Sequence, residues 1–277
     1  MDIKGFQNTV WKFYAKHERT LPWRPPLLKP HKDGSLDAYK VLVSEMMLQQ
    51  TQVDRVIPKY KSFITQFPSW KALGSAPLKD VLIAWQGLGY NRRALFLKQT
   101  AEKVSNEYNG KLPSNHNLLI QFPGIGTYTA GAIQVFAYNK SAIFIETNIR
   151  TVFIHHFFAD TEEKIHDAAI IPLIENTLDQ NNPREWYYAL MDYGSHLKRL
   201  HTNPSRRSVH HTRQSKFEGS HRQTRAQVLK IIALSGPLTR EEIYKNLQKP
   251  RKDVQRALRE LIKEKFIYEQ KDRFQIM

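Results

Sequence analysis

The chain has 277 residues, 41% hydrophobic and 25% charged, which is typical of a globular protein and not of a disordered or collagen-like chain. It contains no cysteine, which excludes disulfides, thiolate-ligated zinc, cysteine-held iron-sulfur clusters and cysteine nucleophiles, and its formal net charge of +16 favours a polyanionic partner such as a nucleic acid. No apolar run approaches the roughly 18 residues of a membrane span, and the amino terminus lacks the apolar segment of a secretory signal, so we expect a cytoplasmic protein.

Apolar residues recur at intervals of three and four along most of the chain, which predicts a predominantly helical protein. Clear examples are the stretches 3–13, 81–85, 95–108 and 170–178. Between the first two of these, residues 25–37 are rich in proline, glycine and charge and predict a surface loop.

A glycine-containing turn at residues 123–129 connects two predicted helices. Gly124 and Gly126 stand between a helical run at 117–122 and a helix of small residues at 130–137. Such a turn directs backbone N–H groups outward at the positive end of a helix, which suits a phosphate. Glycine alone is also explained by a tight turn.

Pro183 predicts the start of a further helix, and Gly194 with Ser195 predicts its end. Paired histidines occur at 155–156 and 210–211. No acidic ligands accompany them, and neighbouring histidines on a helix point apart, so no metal site is predicted.

The stretch from residue 196 to residue 225 has eight Lys or Arg against a single acid, Glu218. We interpret 203–223 as a basic linker between an amino-terminal domain at 1–202 and a carboxy-terminal module at 224–277. This stretch also favours binding to a polyanion.

Three short helices followed by a hairpin are predicted in the carboxy-terminal module. The helices are predicted at 224–234, 239–247 and 251–264, and the hairpin strands at 266–269 and 274–276. This order resembles a winged helix-turn-helix, whose third helix would enter the major groove of DNA. A protein-protein interaction module is the alternative.

Five segments occur in the order found in MutY-type adenine DNA glycosylases, members of the helix-hairpin-helix superfamily of base-excision repair enzymes. They are LPWR at 21–24, SEMMLQQTQV at 44–53, WQGLGY at 85–90, TAGAI at 129–133 and ALMDYG at 189–194. The chain resembles this family over roughly 10–198, most specifically at 48–53.

The resemblance implies an all-α, two-lobed helix-hairpin-helix body, to which the winged-helix-like α+β module is added. Such a body binds double-stranded DNA across its cleft, rotates the target nucleotide out of the duplex and hydrolyses its N-glycosidic bond. The leaving base must gain a proton, and the positive charge on the sugar must be stabilised.

Glu45 matches the family's proton donor, and its apolar neighbours favour the neutral, donating form of the carboxyl. The alternative is a solvated glutamate on a helix surface.

Glu146 stands where the family has an aspartate, while Asn148 matches the asparagine of the family. The extra methylene can displace the carboxylate by about 1 Å, which can cost on the order of a hundredfold in rate unless the site is rebuilt around it. A helix-capping acid is the alternative role of Glu146.

Tyr128 occupies the position at which bifunctional relatives carry a Schiff-base lysine, so the resemblance implies base removal by water without strand cleavage. Packing beneath the turn of the helix-hairpin-helix is an equally good account of Tyr128, and the two roles are compatible.

The remaining site residues are predicted to contact DNA. They comprise duplex-intruding residues, an aromatic wedge, the turn of the helix-hairpin-helix, a residue near the base pocket and basic side chains. They are Gln50, Thr51, Tyr90, Gly124, Gly126, Thr129, Arg24, Arg150, Arg206 and Arg207.

Two features of most family members are missing from this sequence: the four cysteines of an iron-sulfur cluster and the Nudix-like domain that reads 8-oxoguanine. We therefore expect a protein without a cofactor, acting as a monomer near the nucleoid, with a protein partner possible at the winged helix. The predicted activity is monofunctional removal of adenine opposite 8-oxoguanine or guanine. A thymine or uracil mismatch glycosylase and a catalytically silent DNA-binding regulator are the alternatives.

Overall fold

The computed structural model describes residues 2–161, 163–213 and 215–277, and these form mostly helices, as the apolar spacing predicts. In chain order the helices are α1 (Ile3–His17), α2 (Ala38–Leu48), α3 (Val53–Gln66), α4 (Trp70–Ser75), α5 (Leu78–Ala84), α6 (Arg92–Glu107), α7 (His116–Leu119), α8 (Thr127–Phe136), α9 (Thr147–Phe157), α10 (Asp167–Thr177), α11 (Pro183–Leu200), α12 (His221–Ser235), α13 (Arg240–Leu247) and α14 (Arg251–Lys263). The strands are β1 (Leu238–Thr239), β2 (Ile267–Gln270) and β3 (Arg273–Ile276), and a 3₁₀ turn spans Pro204–Arg207.

Short polar side chains fix the first turns of several helices. The side chains of Asp2, Ser69 and Ser220 accept hydrogen bonds from first-turn N–H groups of α1, α4 and α12. Thr239 and Glu242 form a reciprocal capping box at the start of α13. These caps satisfy N–H groups that have no partner inside the helix.

The chain folds into two compact units, and each unit is built from two separate segments. Unit 1 contains Met1–Glu45 and Pro113–Arg213, and unit 2 contains Met46–Leu112 and Gln214–Met277. The domains predicted from the sequence, 1–202 and 224–277 with a linker at 203–223, follow one another along the chain, whereas these two units interleave. The predicted domain division stays a prediction. Among the described residues, no helix is long and apolar enough to cross a membrane.

The core of unit 1 lies where α1, α9 and α11 meet. The Phe6 ring centroid is 5.1 Å from that of Phe153 and 6.1 Å from that of Trp186, and all three side chains are buried. Phe144, in the loop before α9, stacks on Tyr187 of α11 at 4.1 Å. These aromatic contacts hold the start of α9 against α11.

Helix α11 continues past the point at which the sequence predicts its end. Gly194 and Ser195 are predicted to terminate it, but the helix runs on to Leu200. A Cβ atom on Gly194 would lie 2.2 Å from the carbonyl oxygen of Asn148. The predicted stop is wrong because this glycine serves close packing of α11 on α9, a role that the sequence does not distinguish from helix termination.

Unit 2 has one core among its amino-terminal helices and another in its carboxy-terminal segment. Helices α4 and α6 pack closely at Gly74, where an added Cβ would lie 3.1 Å from the Glu102 nitrogen. In the carboxy-terminal segment, Val228 of α12, Leu258 of α14 and Phe274 of β3 are buried. Helix α12 also packs on α5, which joins the two parts of unit 2.

The predicted hairpin is present as strands β2 and β3, and β1 pairs with β3 to give a three-stranded antiparallel sheet in the order β1-β3-β2. Part of the predicted linker is ordered: Ile165 N donates to Arg207 O at 2.8 Å and Val209 N donates to Ile165 O at 3.0 Å. The basic stretch is therefore attached to unit 1 up to this bridge.

Candidate active site

Unit 1 brings Glu45 and Tyr128 into direct contact. Glu45 lies near the end of α2 and is 6% exposed, so it is not the solvated surface glutamate of the alternative interpretation. The Tyr128 hydroxyl, in the first turn of α8, donates to Glu45 Oε2 at 3.0 Å. Helix α8 thus supplies a hydrogen-bond donor to a carboxyl that is shielded from water.

The pKa of Glu45 is raised to about 7, chiefly by burial and also by the negative charge of Glu146, although the Tyr128 hydrogen bond and Arg24 act to lower it. Burial also raises the pKa of Tyr128 well above its usual value, so the phenol stays neutral. A carboxyl with a pKa near 7 is protonated often enough at neutral pH to donate a proton.

Glu146 caps helix α9. Its Oε1 accepts from the backbone nitrogens of Asn148 at 2.6 Å and Ile149 at 2.9 Å, and its Oε2 accepts from Asn148 Nδ2 at 3.2 Å. Its charge is also felt by Glu45 and Tyr128, whose pKa values it raises. The capping role is therefore real, and it holds a fixed carboxylate close enough to act on Glu45.

Lys198 is a residue of this site that the sequence assigned only to the basic stretch. Its Nζ donates to Asn148 Oδ1 at 2.7 Å, and burial lowers the pKa of Lys198 while Glu146 raises it. Gly194 and Lys198 are four residues apart on α11 and therefore share the helix face that meets α9. This spacing is the signal that could have identified the lysine.

Arg24 is buried in unit 1 and forms an ion pair with Asp192, with Nη1 at 2.9 Å from Oδ1. Its guanidinium lies 4.1 Å from the ring centroid of Tyr188, a cation–π contact. Arg24 also lowers the pKa of Glu45, which places its positive charge near that carboxyl.

The turn before α8 has the backbone that the sequence predicts for an anion site. Gly124 has a φ of +74°, and Gly126 is the N-cap of α8 in extended conformation. Gly126 has no side chain to cap α8, and the start of a helix is where backbone N–H groups can bind an anion. Thr129, predicted to contact DNA, is buried in α8 at 3% exposure.

In unit 2, one arginine that the sequence analysis does not single out organises the loops containing the predicted duplex-intruding residues. Arg93 is 7% exposed, and burial lowers the pKa of its guanidinium to about 10, so it stays charged at neutral pH. Its guanidinium donates six hydrogen bonds of 2.6 to 3.3 Å, to the carbonyl oxygens of Met46, Met47, Gln49, Leu88 and Gly89 and to Thr51 Oγ1.

Gln50 and Tyr90 belong to the two loops that Arg93 holds, and both have positive φ, +54° and +47°. Such backbone is uncommon for residues other than glycine and concentrates at functional positions. Tyr90 is 41% exposed, and its hydroxyl accepts from Arg222 Nη1 at 2.7 Å. The predicted wedge residue is thus contacted by the carboxy-terminal segment.

Three of the predicted DNA-contacting residues of unit 1, one in α9 and two in the 3₁₀ turn, have contacts within the protein. Arg150 forms a two-pronged ion pair with Asp167 at 2.7 and 2.6 Å. Arg207 donates to the Phe158 carbonyl at 2.5 Å and to the Thr161 carbonyl, while Arg206 is exposed and contributes its carbonyl to Lys164. Their DNA-binding role stays a prediction.

The histidine pair at 155–156 packs within unit 1, whereas the pair at 210–211 is exposed, with His210 Nε2 at 3.8 Å from Asp167 Oδ2. The His156 ring lies 2.9 Å from the Tyr193 hydroxyl, and burial lowers the pKa of His156 to about 4, which keeps it neutral. Within the part of the chain that the structure describes, no cluster of three or more metal-ligating side chains occurs.

Comparison with known proteins shows one consistent relationship. Residues 43–171 match the family model "HhH-GPD superfamily base excision DNA repair protein". The chain is 36% identical to adenine DNA glycosylase of Buchnera aphidicola subsp. Baizongia pistaciae over 72% of this chain and 54% of that one, and 33% identical to that of Homo sapiens over 70% and 36%. The chain thus spans about half the length, or less, of the curated relatives it matches.

Two solved structures share the fold. A thermostable thymine-DNA glycosylase has a TM-score of 0.60 and 27% identity, with 70% of this chain and 86% of that one covered. A non-covalent endonuclease III–DNA complex has a TM-score of 0.56 and 14% identity, with 75% and 98% covered. The second likeness concerns the fold alone.

The prediction that the protein has no cofactor is wrong as a conclusion from the missing cysteines, because the matched relatives are adenine DNA glycosylases, a family that typically carries an iron-sulfur cluster. The absence of cysteine shows only that this chain has no thiolates to hold such a cluster. Lys198 and the stretch up to Arg213 follow the ALMDYG segment in place of the family's cysteines, and these residues do not fit the cluster.

Proposed function

We propose that the chain, whose residues 43–171 match the model of the HhH-GPD superfamily of base excision DNA repair proteins, is a DNA glycosylase that removes adenine opposite 8-oxoguanine or guanine. The buried Glu45 with a pKa near 7 in contact with Tyr128 is the observation that supports this most strongly. The direct test is excision from a panel of duplexes, each with one mispair or lesion. Release of adenine from the A·G and A·8-oxoguanine duplexes is the expected result.

In this proposal Glu45 protonates the leaving base and the bond from base to sugar breaks, with the bonding electrons leaving on the base. Glu146 supplies negative charge for the positive sugar that develops, and water then attacks that sugar. Asn148 and the first-turn N–H groups of α9 fix the Glu146 carboxylate, so little reorganisation is required during the reaction.

The excision rate is expected to fall as pH rises through about 7. Only protonated Glu45 donates, so the rate should be constant below its pKa of about 7 and decrease about tenfold per pH unit above it. Single-turnover excision with saturating enzyme, measured from about pH 5.5 to about pH 9, gives the profile. A rate that rises across pH 7 would assign the titrating group to a base.

We infer that the enzyme removes the base without cleaving the strand, because Tyr128 offers no amine for a Schiff base with the sugar. Borohydride added during turnover is therefore expected to trap no covalent protein–DNA species. Lys198 is the half-buried amine to check, since its pKa is lowered and it lies two hydrogen bonds from Glu146. A trapped species that is lost in Lys198→Met would contradict the inference.

The proposed partner is double-stranded DNA, in keeping with the net charge of +16 and with the glycine N-cap of α8. We propose that the hairpin turn, Arg206 and Arg207 contact phosphates, and that Gln50, Thr51 and Tyr90 enter the duplex. The winged-helix interpretation of residues 224–277 remains part of this proposal, supported by three helices followed by the β2–β3 hairpin.

Thymine removal is a second candidate, because the thymine-DNA glycosylase structure covers 70% of this chain at 27% identity. The adenine DNA glycosylases are more similar, at 33% to 37% identity. The same duplex panel separates the two: release of thymine from G·T with no release of adenine would favour the second candidate.

A further inference from the structure

Tyr90 presents an aromatic ring to solvent from a backbone that is held in place from behind. Arg93 donates to the carbonyl oxygens of Leu88 and Gly89, and its guanidinium carbon lies 5.5 Å from the Tyr90 ring centroid. The Tyr90 side chain is 41% exposed at a φ of +47°. A fixed, exposed aromatic ring suits stacking of a planar ligand, because little conformational entropy is lost on binding.

Arg222 of α12 reaches the same position from the carboxy-terminal segment of unit 2. Its Nη1 donates to the Tyr90 hydroxyl at 2.7 Å, and its Nη2 donates to the Ser215 carbonyl at 2.7 Å and to Ser215 Oγ at 3.2 Å. Its guanidinium carbon is 5.7 Å from the Tyr90 ring centroid. All these acceptors are neutral, so they position the guanidinium without compensating its charge.

Two carboxylates at the end of α14, Glu260 and Glu264, have cationic partners of their own. Arg225, three residues along α12, binds Glu264 at 2.8 Å and Glu260 at 2.9 Å, and His221 also contacts Glu260. Arg92, two residues after Tyr90, is largely exposed, and its Nε lies 3.9 Å from Glu264. Tyr90 is therefore flanked by positive charge on an exposed surface, which favours an anionic or electron-rich ligand.

Two basic residues of α14, the helix that the sequence predicts to enter the groove, form ion pairs at the surface. Arg251 binds Glu241 at 2.8 Å and Arg256 binds Glu260 at 3.0 Å. These pairs compensate two of the charges that a recognition helix would offer.

We propose that Tyr90 and Arg222 form a recognition site for an unpaired purine of DNA, with the ring of the base against Tyr90 and its edge facing the guanidinium. Arginine donates to both O6 and N7 of guanine, so a guanine left without its partner is the ligand that this pair would bind best. This inference rests on the proposed function, because rotation of the target nucleotide out of the duplex is what leaves the opposite base unpaired. It makes the carboxy-terminal segment a determinant of opposite-base specificity.

Binding of the full-length chain to three short duplexes tests the proposal. The probes are an undamaged duplex, one with a tetrahydrofuran abasic site opposite guanine, and one with that site opposite thymine. Arg222→Ala is expected to weaken binding to the abasic-guanine duplex by about tenfold and to the undamaged duplex by less than about twofold. Arg222→Lys keeps the charge but lacks the fork, so it should also lose the preference for guanine over thymine.

Lys230→Ala, on the same helix α12 at an exposed position, is the matched control for charge loss. It should leave the guanine preference unchanged. Tyr90→Phe retains the ring and removes only the hydroxyl that orients Arg222, so it keeps the proposal testable if Arg222→Ala does not fold. It should reduce the guanine preference and preserve binding to the abasic-thymine duplex.

An equal loss on all three duplexes in Arg222→Ala would show a phosphate contact only and would overturn the proposal, as would no loss on any of them. The probes contain no adenine at the site, so binding is measured without excision. A wild-type chain that excises no adenine would refute the proposed function, while the guanine preference and its loss in Arg222→Ala would decide this inference separately.

Discussion

Glu45→Gln is expected to reduce excision by roughly a thousandfold or more while DNA binding is retained. The amide keeps the shape of the carboxyl and still accepts the Tyr128 hydrogen bond, but it has no acidic proton to give to the leaving base. A positioned general acid contributes about 10² to 10⁴ in rate, and its loss also leaves the developing charge on the base unrelieved. Single-turnover excision and duplex affinity, measured on the same preparation, check both parts of the prediction.

Glu45→Gln is also expected to make the protein more stable than the wild type at alkaline pH. The pKa of Glu45 is raised from 4.5 to about 7, so between these values the folded state binds more protons than the unfolded state. Stability must therefore fall as pH rises through this window, by roughly 3 kcal/mol for a shift of this size. Glu45→Gln should lack this loss and should be the more stable protein at pH ~8.

Glu175→Gln provides the matched control, because Glu175 is an exposed glutamate of α10 in the same unit. It should change neither excision nor the pH dependence of unfolding, which is followed by chemical denaturation at acidic and alkaline pH. Full excision in Glu45→Gln would mean that the proton donor lies elsewhere and that the assignment of Glu45 is wrong.

Glu146→Asp is expected to slow excision by about tenfold or more without unfolding the protein. Three hydrogen bonds fix the longer side chain at the start of α9, which indicates a site built around glutamate. Aspartate is a good N-cap, so the helix should stay capped, but its carboxylate would withdraw by about 1 Å from the position that acts on the sugar. Single-turnover rates with matched thermal unfolding curves separate rate from stability.

Glu146→Gln completes the comparison, since it keeps the length of the side chain and removes its charge. We expect it to lose more rate than Glu146→Asp, because charge stabilisation depends on the carboxylate itself. Faster excision in Glu146→Asp than in the wild type would show instead that glutamate at this position lowers the activity and that the site is not built around it.

The sequence predicts the helices and the β2–β3 hairpin well, because these elements depend on local signals. The apolar spacing around Ile3 to Phe13 marks α1, and the turn residues between β2 and β3 mark the hairpin. Gly194 shows where local signals fail, because its meaning depends on the distant Asn148 backbone that α11 approaches.

In the candidate site, too, some residues are identified by local signals and others depend on distant contacts. Glu45 could be predicted because its segment is distinctive and its neighbours are apolar. Lys198 and Arg93 could not, since their roles consist of hydrogen bonds to Asn148 and to loop carbonyls 40 or more residues away in most cases. A basic side chain gives no local sign in the sequence of which distant oxygen it will bind.

The interleaving of the two units has a consequence for synthesis on the ribosome. Unit 1 lacks its second segment until Arg213 has been made, and unit 2 lacks its own until the chain reaches Gln214–Met277. The segment Met46–Leu112 must therefore emerge long before its later partners, with Leu82 and Trp85 of the α5 region, buried in the finished protein, already translated. Such delayed, long-range closure slows folding and prolongs exposure of apolar surface, so chaperone dependence during translation is expected to be greater than for a helical protein of consecutive domains.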